Sequence, residues 1–377
     1  MVQEKLVSSE KTKNDNNVYH DEPELRFEKF DESWKEYCLE DCVIFLDNER
    51  KPLKESDRAD KKGKYPYYGA SGIIDYIDDY IFDDELILMG EDGANIITRS
   101  SRLVFLAKGK FWVNNHAHVF KAKQNFDSYF LAESLERINY EKYNTGTAQP
   151  KLNQEVCAKI KFKLPNIDEQ KRISIFLQHI DKKIELLEKK LVLCRKTIDS
   201  NLRKIYSDLE EYDEIKLKDI VKSYASNLSI NKLEKNIGEY PLYGAEGIIK
   251  YVDFYEMKSP YISIIKDGAG VGRLNLCNEF SSALGTLQCL IPNEDININF
   301  LYFYLKTLNF NKYIVGSTIP HIYFKDYSKE RIKVPSLRRQ QDIGNYFSLC
   351  EKKNNLIKEE IEVLNKFKQG LLQKMFF

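Results

Sequence analysis

Apolar residues recur at alternating steps of four and three along two stretches of the chain. The first runs through Ile173, Leu177, Ile180, Ile184, Leu187, Leu191, Cys194 and Ile198. The second runs through Ile343, Phe347, Cys350, Asn354, Ile357, Ile361 and Leu364, in the same register 170 positions later, and Leu371 and Met375 continue it. A period of 3.5 is the a/d seam of a coiled coil. The spacing therefore predicts two long helices, with Ile180, Ile184, Leu187, Leu191, Ile198, Ile357, Ile361 and Leu364 as the apolar spacer seam. A whole globular segment separates the two, so the simplest pairing is antiparallel. Helices of about 38 residues would be roughly 57 Å long and would hold two globular units apart. Asn354 and Lys368 interrupt the second seam; a buried Asn fixes register at a cost in stability.

The rest of the chain is patterned as short strands and turns, as in LILMGEDGANIITR and YISIIKDGAGVGRL. These segments are copies of one another. YPYYGASGIIDYID at 65–78 returns as YPLYGAEGIIKYVD at 240–253, and Asp92-Gly93-Ala94 as Asp267-Gly268-Ala269, both at an offset of 175. WKEYCLEDCV (34–43) aligns loosely with YDEIKLKDIV (212–221), and KFKLPNIDEQKRI (161–173) matches RIKVPSLRRQQDI (331–343). The period is that of duplicated domains, not of a solenoid. The fold class is α+β with an internal pseudo-two-fold repeat. Its expected segments are a flexible N-terminal tail (1–22), a globular unit (23–166), a central helix (167–209), a second globular unit (210–336) and a C-terminal helix (337–377). Tyr68, Gly69, Gly72, Ile73 and Ile74, shared by both copies, are expected to be core and turn, as is Tyr243.

Composition narrows the function. The chain has 58 basic and 58 acidic residues, hence no formal net charge. A stand-alone nucleic-acid binder usually carries a basic excess, so a DNA reader with this balance needs partners to supply part of the positive field. No apolar run suits a signal peptide or a membrane span, and the seven scattered cysteines read as reduced thiols. Both features imply a cytoplasmic protein with no membrane partner.

No catalytic constellation is visible. A phosphate-binding G-x-x-x-x-G-K-[ST] motif is missing, as is the Asn-Pro-Pro-Tyr or Asp-Pro-Pro-Tyr tetrapeptide of amino-methyltransferases. The glycines of Asp267-Gly268-Ala269-Gly270-Val271-Gly272 suit a tight turn between strands better than a nucleotide loop. His116 and His118 would point the same way from a strand, but no third metal ligand is nominated, so no metal is expected. Residues 75–92 carry eight acidic groups and no Lys or Arg, which reads as a solvated face turned away from any DNA.

At this point the chain resembles the specificity (S) subunits of Type I restriction-modification systems. PELRF at 23–27, WKEYCLED, YPYYGASGII with its second copy, GTAQPKLN at 146–153 and LPNIDEQKRI leading into the first helix carry the resemblance. It covers nearly the whole chain, from about Pro23. It implies a non-catalytic subunit in which each globular unit is a target-recognition domain reading one half of a split site on double-stranded DNA. The two helices would set the spacing and dock two adenine-methylating modification subunits, and motor-nuclease restriction subunits would join the full complex. The resemblance also implies that this chain binds no cofactor, and that S-adenosylmethionine, ATP and magnesium act on the partner subunits.

Reading bases requires Arg or Lys for guanine and Asn or Gln for adenine. In the first unit the candidates are Asn95, Arg99, Asn114, Asn115, His116, Thr145, Gln149 and Lys151. In the second they are Lys266, Arg273, Asn275, Thr286, Gln288, Ser317, Thr318, His321 and Lys325. A coiled-coil scaffold joining two protein-binding domains without DNA is the competing expectation.

Overall fold

The computed structural model describes residues 6–8, 23–209 and 211–376. Of the tail expected over 1–22, only Leu6–Ser8 falls among them, and it is not free chain: it forms a short strand antiparallel to Leu25–Phe27. The remainder of 1–22 lies outside the described residues. The chain divides into two units, one of residues 1–185 with 362–377 and one of residues 186–361.

In the first unit a six-stranded sheet runs in the order Val43–Phe45, Ala117–Ala122, Phe82–Gly90, Val104–Val113, Lys62–Gly69, Gly72–Ile77. Its neighbours are antiparallel except Lys62–Gly69 beside Val104–Val113, which pair in parallel through Tyr67 and Tyr68. The central strand explains itself from its sequence. Asp83-Asp84-Glu85 opens it at the sheet's wet end, and Leu86, Ile87, Leu88 and Met89 are all buried. Leu86 and Leu88 form one core with Phe82, Phe111 and Val119.

The acidic run over 75–92 carries counter-charges that the sequence window does not show. Cross-strand pairing sets Lys108, Lys110 and Lys121 against Glu85, Asp83 and Asp84, at 2.7, 4.0 and 2.5 Å. Asp75 is held by Lys62 and Arg58. The lysines stand on neighbouring strands far away in sequence, so a window of one strand cannot see them.

The second unit repeats the plan with the sheet split in two. Four strands run Val221–Ala225, Leu287–Pro292, Tyr261–Ile265, Leu274–Cys277, and three run Gly247–Val252, Tyr240–Gly244, Ser282–Ala283. The parallel contact recurs, with Leu242 and Tyr243 beside Ser282 and Ala283. Tyr243 is buried, as expected, and Tyr68 packs half-buried on Phe105 and Phe111. Ile73 and Ile74 depart from the expected core position, as do their copies Ile248 and Ile249: all four are exposed. Their strands lie at a sheet edge, and the hairpins bury their other face, through Tyr67 and Ile77 in one unit and Leu242 and Val252 in the other.

Two long helices cover Ile167–Ser207 and Leu337–Met375. Each is fastened to its own unit by a buried glutamine at the same place in the repeat. Gln170 accepts from the Asp127 amide at 3.0 Å and donates to the Pro165 carbonyl at 2.9 Å. Gln340 accepts from the Asn297 amide at 2.8 Å and donates to the Pro335 carbonyl at 2.9 Å. Asp127 and Asn297 in turn cap the helices Ser128–Glu136 and Ile298–Thr307. One glutamine thus ties the amide at the start of one helix to the carbonyl just before another, which fixes where each long helix leaves its domain.

The helices pack antiparallel. In the second unit Asn201 donates to the Tyr346 hydroxyl at 2.8 Å, while Arg195 and Ile198 flank Asn354 and Lys358. In the first, Lys368 meets Asp181 at 2.5 Å and Phe376 stacks on Phe130. Ile180, Ile184, Leu187, Leu191 and Ile357 are buried; Ile198, Ile361 and Leu364 are half-buried. The two polar interruptions of the seam differ. Lys368 has its carboxylate, whereas Asn354 is buried with its Oδ1 lacking a partner among the described residues. All seven cysteines are free thiols, and burial pushes those of Cys42 and Cys289 up to about 12.

Candidate nucleic-acid interface

Three loops converge at one end of the sheet in each unit, and the backbone joins them in the same way twice. In the first unit the loop after the central strand begins at Glu91, whose amide donates to the His116 carbonyl at 2.9 Å. Gly93 donates to Pro150 at 3.0 Å, and Leu152 to Glu91 at 2.8 Å. In the second unit Lys266 donates to Thr286 at 2.9 Å, Gly268 to Pro320 at 2.9 Å, and Ile322 to Lys266 at 2.9 Å. Isolated bridges repeat as well, Asp92 with Lys151 and Asp267 with His321. Segments more than 50 residues apart in sequence are thereby joined in each unit, and the candidates His116, Lys151, Lys266, Thr286 and His321 lie at the joined positions.

The loops differ where the scaffold does not. In the first unit Asn95–Thr98 form a short helix that ends at Arg99 in the left-handed region, φ 49°. In the second, Gly268, Gly270 and Gly272 all take positive φ in a tight turn between Tyr261–Ile265 and Leu274–Cys277. That conformation is open to glycine at little cost, and it supports the reading of this segment as a turn.

Several candidates have internal work. Asn95 accepts from the Ser101 amide at 3.0 Å and donates to the Ser101 carbonyl at 3.2 Å, so it closes its own loop. Arg99 pairs with Glu136 at 2.9 Å. Asn114 is buried and accepts from the His116 amide at 2.8 Å. Thr145 donates to the Lys151 carbonyl at 3.0 Å, and Gln288 to the Tyr224 carbonyl at 2.8 Å. Asn275 is half-buried with its Nδ2 enclosed and unpartnered among the described residues; Lys266 is half-buried. On the surface stand Asn115, His116, Gln149 and Lys151 in the first unit. Arg273, Thr286, Ser317, Thr318 and Lys325 are exposed in the second, with His321 partly so.

The two histidines do not share a face. His116 lies in the turn before the strand Ala117–Ala122 and reaches Asp92 at 2.8 Å; His118 is inside the strand and buried. His118 is the centre of a network that sequence reading missed. Its Nδ1 lies 2.6 Å from Asp47 and its Nε2 2.8 Å from the Leu152 carbonyl. Both neighbours are acceptors, so both ring nitrogens must donate and the ring is an imidazolium. Burial alone would lower its pKa, but the hydrogen bonds to Asp47 and Cys157 outweigh it and hold the group up to about 10. Arg50 joins Asp47 to Glu91, 2.6 Å from the latter, and Lys151 reaches Glu91 at 3.2 Å. Burial would raise the Glu91 carboxyl, yet Arg50, His118 and Lys151 together hold it below its ordinary range. The network grips all three loops from beneath. Its members come from 47–50, 91, 118 and 151–152, and no local window links them. Gln170 and Gln340 did leave a signal, since both lie in the repeated stretch that opens the helices.

Among the described residues no group of His, Cys, Asp and Glu could hold a metal ion, and no helix is long and apolar enough to cross a membrane. The family model described as Type I restriction modification DNA specificity domain matches the chain twice, at residues 31–193 and 209–366. A Haemophilus influenzae protein named as a type I restriction enzyme specificity subunit is 26% identical over 350 residues, covering 86% of this chain and 89% of that protein. A Mycoplasma pneumoniae protein named as a type I specificity subunit is 26% identical over 336 residues, covering 83% and 90%. The crystal structure of a Type I restriction-modification S subunit from M. genitalium shares the fold, with a TM-score of 0.71 at 21% identity over 94% of this chain and 99% of that one. Two matched domains, each ending in a long helix and presenting one three-loop surface, place the chain in the Type I restriction-modification specificity family, as a non-catalytic DNA-specificity subunit with two target-recognition domains.

Proposed function

We propose that each three-loop surface reads one half of a two-part DNA site. The carrying observation is the repeated backbone joining of the loops under side chains that differ between copies: a common scaffold with different readers suits two different half-sites. Asn115, His116, Gln149 and Lys151 are the readers of the first unit. Arg273, Thr286, Ser317, Thr318, His321 and Lys325 are those of the second, and the exposed Arg273 has the guanidinium that takes a guanine edge in two bonds. Asn95, Arg99, Asn114, Thr145 and Gln288 shape the loops, and Lys266 and Asn275 line them.

The helices act as the ruler between the half-sites and as the seat of two modification subunits. A second apolar stripe supports that seat. Leu349, Leu356, Val363 and Phe367 are exposed on the second helix at heptad positions, with Lys353 and Glu360 completing the series. Leu186 and Leu193 are exposed on the first. Heptad spacing on a face the partner helix leaves open fits further helices from another chain. S-adenosylmethionine, ATP and magnesium belong to the partner subunits in this reading, and neutral net charge fits a reader that borrows phosphate contacts from them.

The test is the methylation pattern of a genome expressing this chain with its modification subunit. A split motif is expected, and replacing residues 25–160 by the equivalent domain of a relative should change one half only. Four residues inserted near Lys190 would add about 6 Å and about 40° to the helix, and should favour a site with a longer gap. An unsplit motif, or a hybrid that changes both halves, overturns the reading.

A further inference from the structure

In the first unit, adjacent carboxylates hold two of the proposed readers. Glu91 takes the Lys151 ammonium at 3.2 Å, and Asp92 lies 2.8 Å from His116 Nδ1. The backbone sets the same segments side by side, through the Asp92–Lys151 bridge and the bonds from Glu91 to His116 and from Leu152 to Glu91. Glu91 is itself fixed from within. Lys151 is on its Oε1; its Oε2 meets Arg50 at 2.6 Å and stands 3.9 Å from His118. The Glu91 side chain is 13% exposed, against 48% for Lys151. The lysine is therefore the outer end of a chain of charges that runs inward through Glu91 and Arg50 to Asp47.

Holding a lysine this way weakens its pull on phosphate and sharpens its aim. An unheld ammonium on a four-carbon stem is a mobile point charge that neutralises any phosphate within reach. A base edge instead demands a donor at one place. The joint between the loops does not need the acid. In the second unit Lys266 stands at the place of Glu91 and His321 at that of Lys151, and the same backbone bonds form. An acid set among DNA-reading groups, where the scaffold can do without it, is explained by what it does to the reader. We propose that Glu91 is a specificity-determining residue of the first half-site, acting as a positioning residue on Lys151. It turns that lysine from a phosphate counter-ion into a reader of one base edge, and Asp92 does the same for His116. The inference rests on the proposed reading of DNA by these loops and names what aims two of their side chains.

The experiment uses the complex of the full chain with its modification subunit, and duplexes carrying each single-base change of the first half-site. Methylation rates give base preference, and binding to unrelated DNA at graded salt gives non-specific affinity. In E91Q the preference should fall about tenfold at one base pair and stay unchanged across the second half-site. Non-specific binding should strengthen, with a log–log salt slope steeper by about one, because a cation has been released to phosphate. K151A should lose the same preference, and E91Q should add nothing to that loss, since Glu91 acts through Lys151. If E91Q slows every site by one factor with base preference intact, Glu91 only supports the fold and the inference is overturned. A preference change that E91Q makes equally in the K151A background overturns it too. E91Q also removes a partner of Arg50; should that variant fail to fold, D92N carries the test. Asp92 is 23% and His116 52% exposed, so the fold should survive while preference relaxes at a different base pair, and unchanged preference in D92N then overturns the inference. If the variants keep wild-type preference while the wild-type complex methylates a split site, the positioning role falls and the proposed function stands. An unsplit wild-type motif overturns both.

Discussion

The two units support the same three loops by different chemistry. At the position where the strand after the turn faces the central strand, the first unit has His118 opposite Met89 and the second has Gln288 opposite Ile264. His118 is a buried cation within a network of Asp47, Arg50, Glu91 and Lys151. Gln288 is neutral and half-buried, and its side chain donates to the Tyr224 carbonyl. Yet Leu152 and Ile322 dock through the same backbone bonds. The backbone pattern is therefore the inherited part, and the side chains beneath are free to vary provided each buried group finds its partner. A charged network tolerates damage less well than a single amide does, because removing one partner strands a buried charge.

The largest expected effect breaks this comparison at its root. Asp47→Ala leaves the His118 imidazolium buried without its carboxylate and should cost the first unit about 3–5 kcal/mol. Gln288→Ala removes one half-exposed hydrogen bond and should cost the second about 1 kcal/mol. Hydrogen exchange at the Leu152 and Ile322 amides separates them: Leu152 should speed up strongly in D47A, and Ile322 little in Q288A. Equal responses would mean that the network is not what holds the first loop.

A pH dependence should follow in the first unit alone. The folded pKa of His118 is raised from 6.5 to about 10, so its contribution is complete below 6.5 and is lost as pH rises through about 10, a few kcal/mol in all. Glu91, held low, acts in the opposite sense, and its contribution is lost as pH falls through its folded value. Exchange at Leu152 measured between pH 7 and 10, after correction for the intrinsic rate, should show opening that Ile322 does not. Parallel behaviour of the two amides would refute the assignment of the charged form.

Smaller effects sharpen the division between readers and scaffold. Arg273→Ala should relax one base of one half-site by about 1–3 kcal/mol and leave the other half intact, which methylation of graded site variants would measure. Smallest of all, Asp84→Asn breaks a surface pair with Lys121 and should change stability by less than about 1 kcal/mol. A larger loss on thermal unfolding would show that the acidic strand depends on its lysines.

Sequence by itself determined the repeat, the two helices and their seam. These are periodic signals, and burial of a 3.5-residue stripe leaves few alternatives to a helix pair. It also located the loops that carry the candidate readers, because glycine and proline mark turns wherever they occur. Tertiary structure decided the rest. Only strand pairing, a contact between segments distant in the chain, revealed that lysines neutralise the acidic run and that three loops share a surface. Solvent exposure likewise depended on topology: the Ile-Ile pair of each copy has the composition of core, and its place on an edge strand put it outside. Most of all, the charge of His118 depends on Asp47 and on the Leu152 carbonyl. Long-range packing brings these groups within 3 Å of the ring, and a sequence window cannot carry that information.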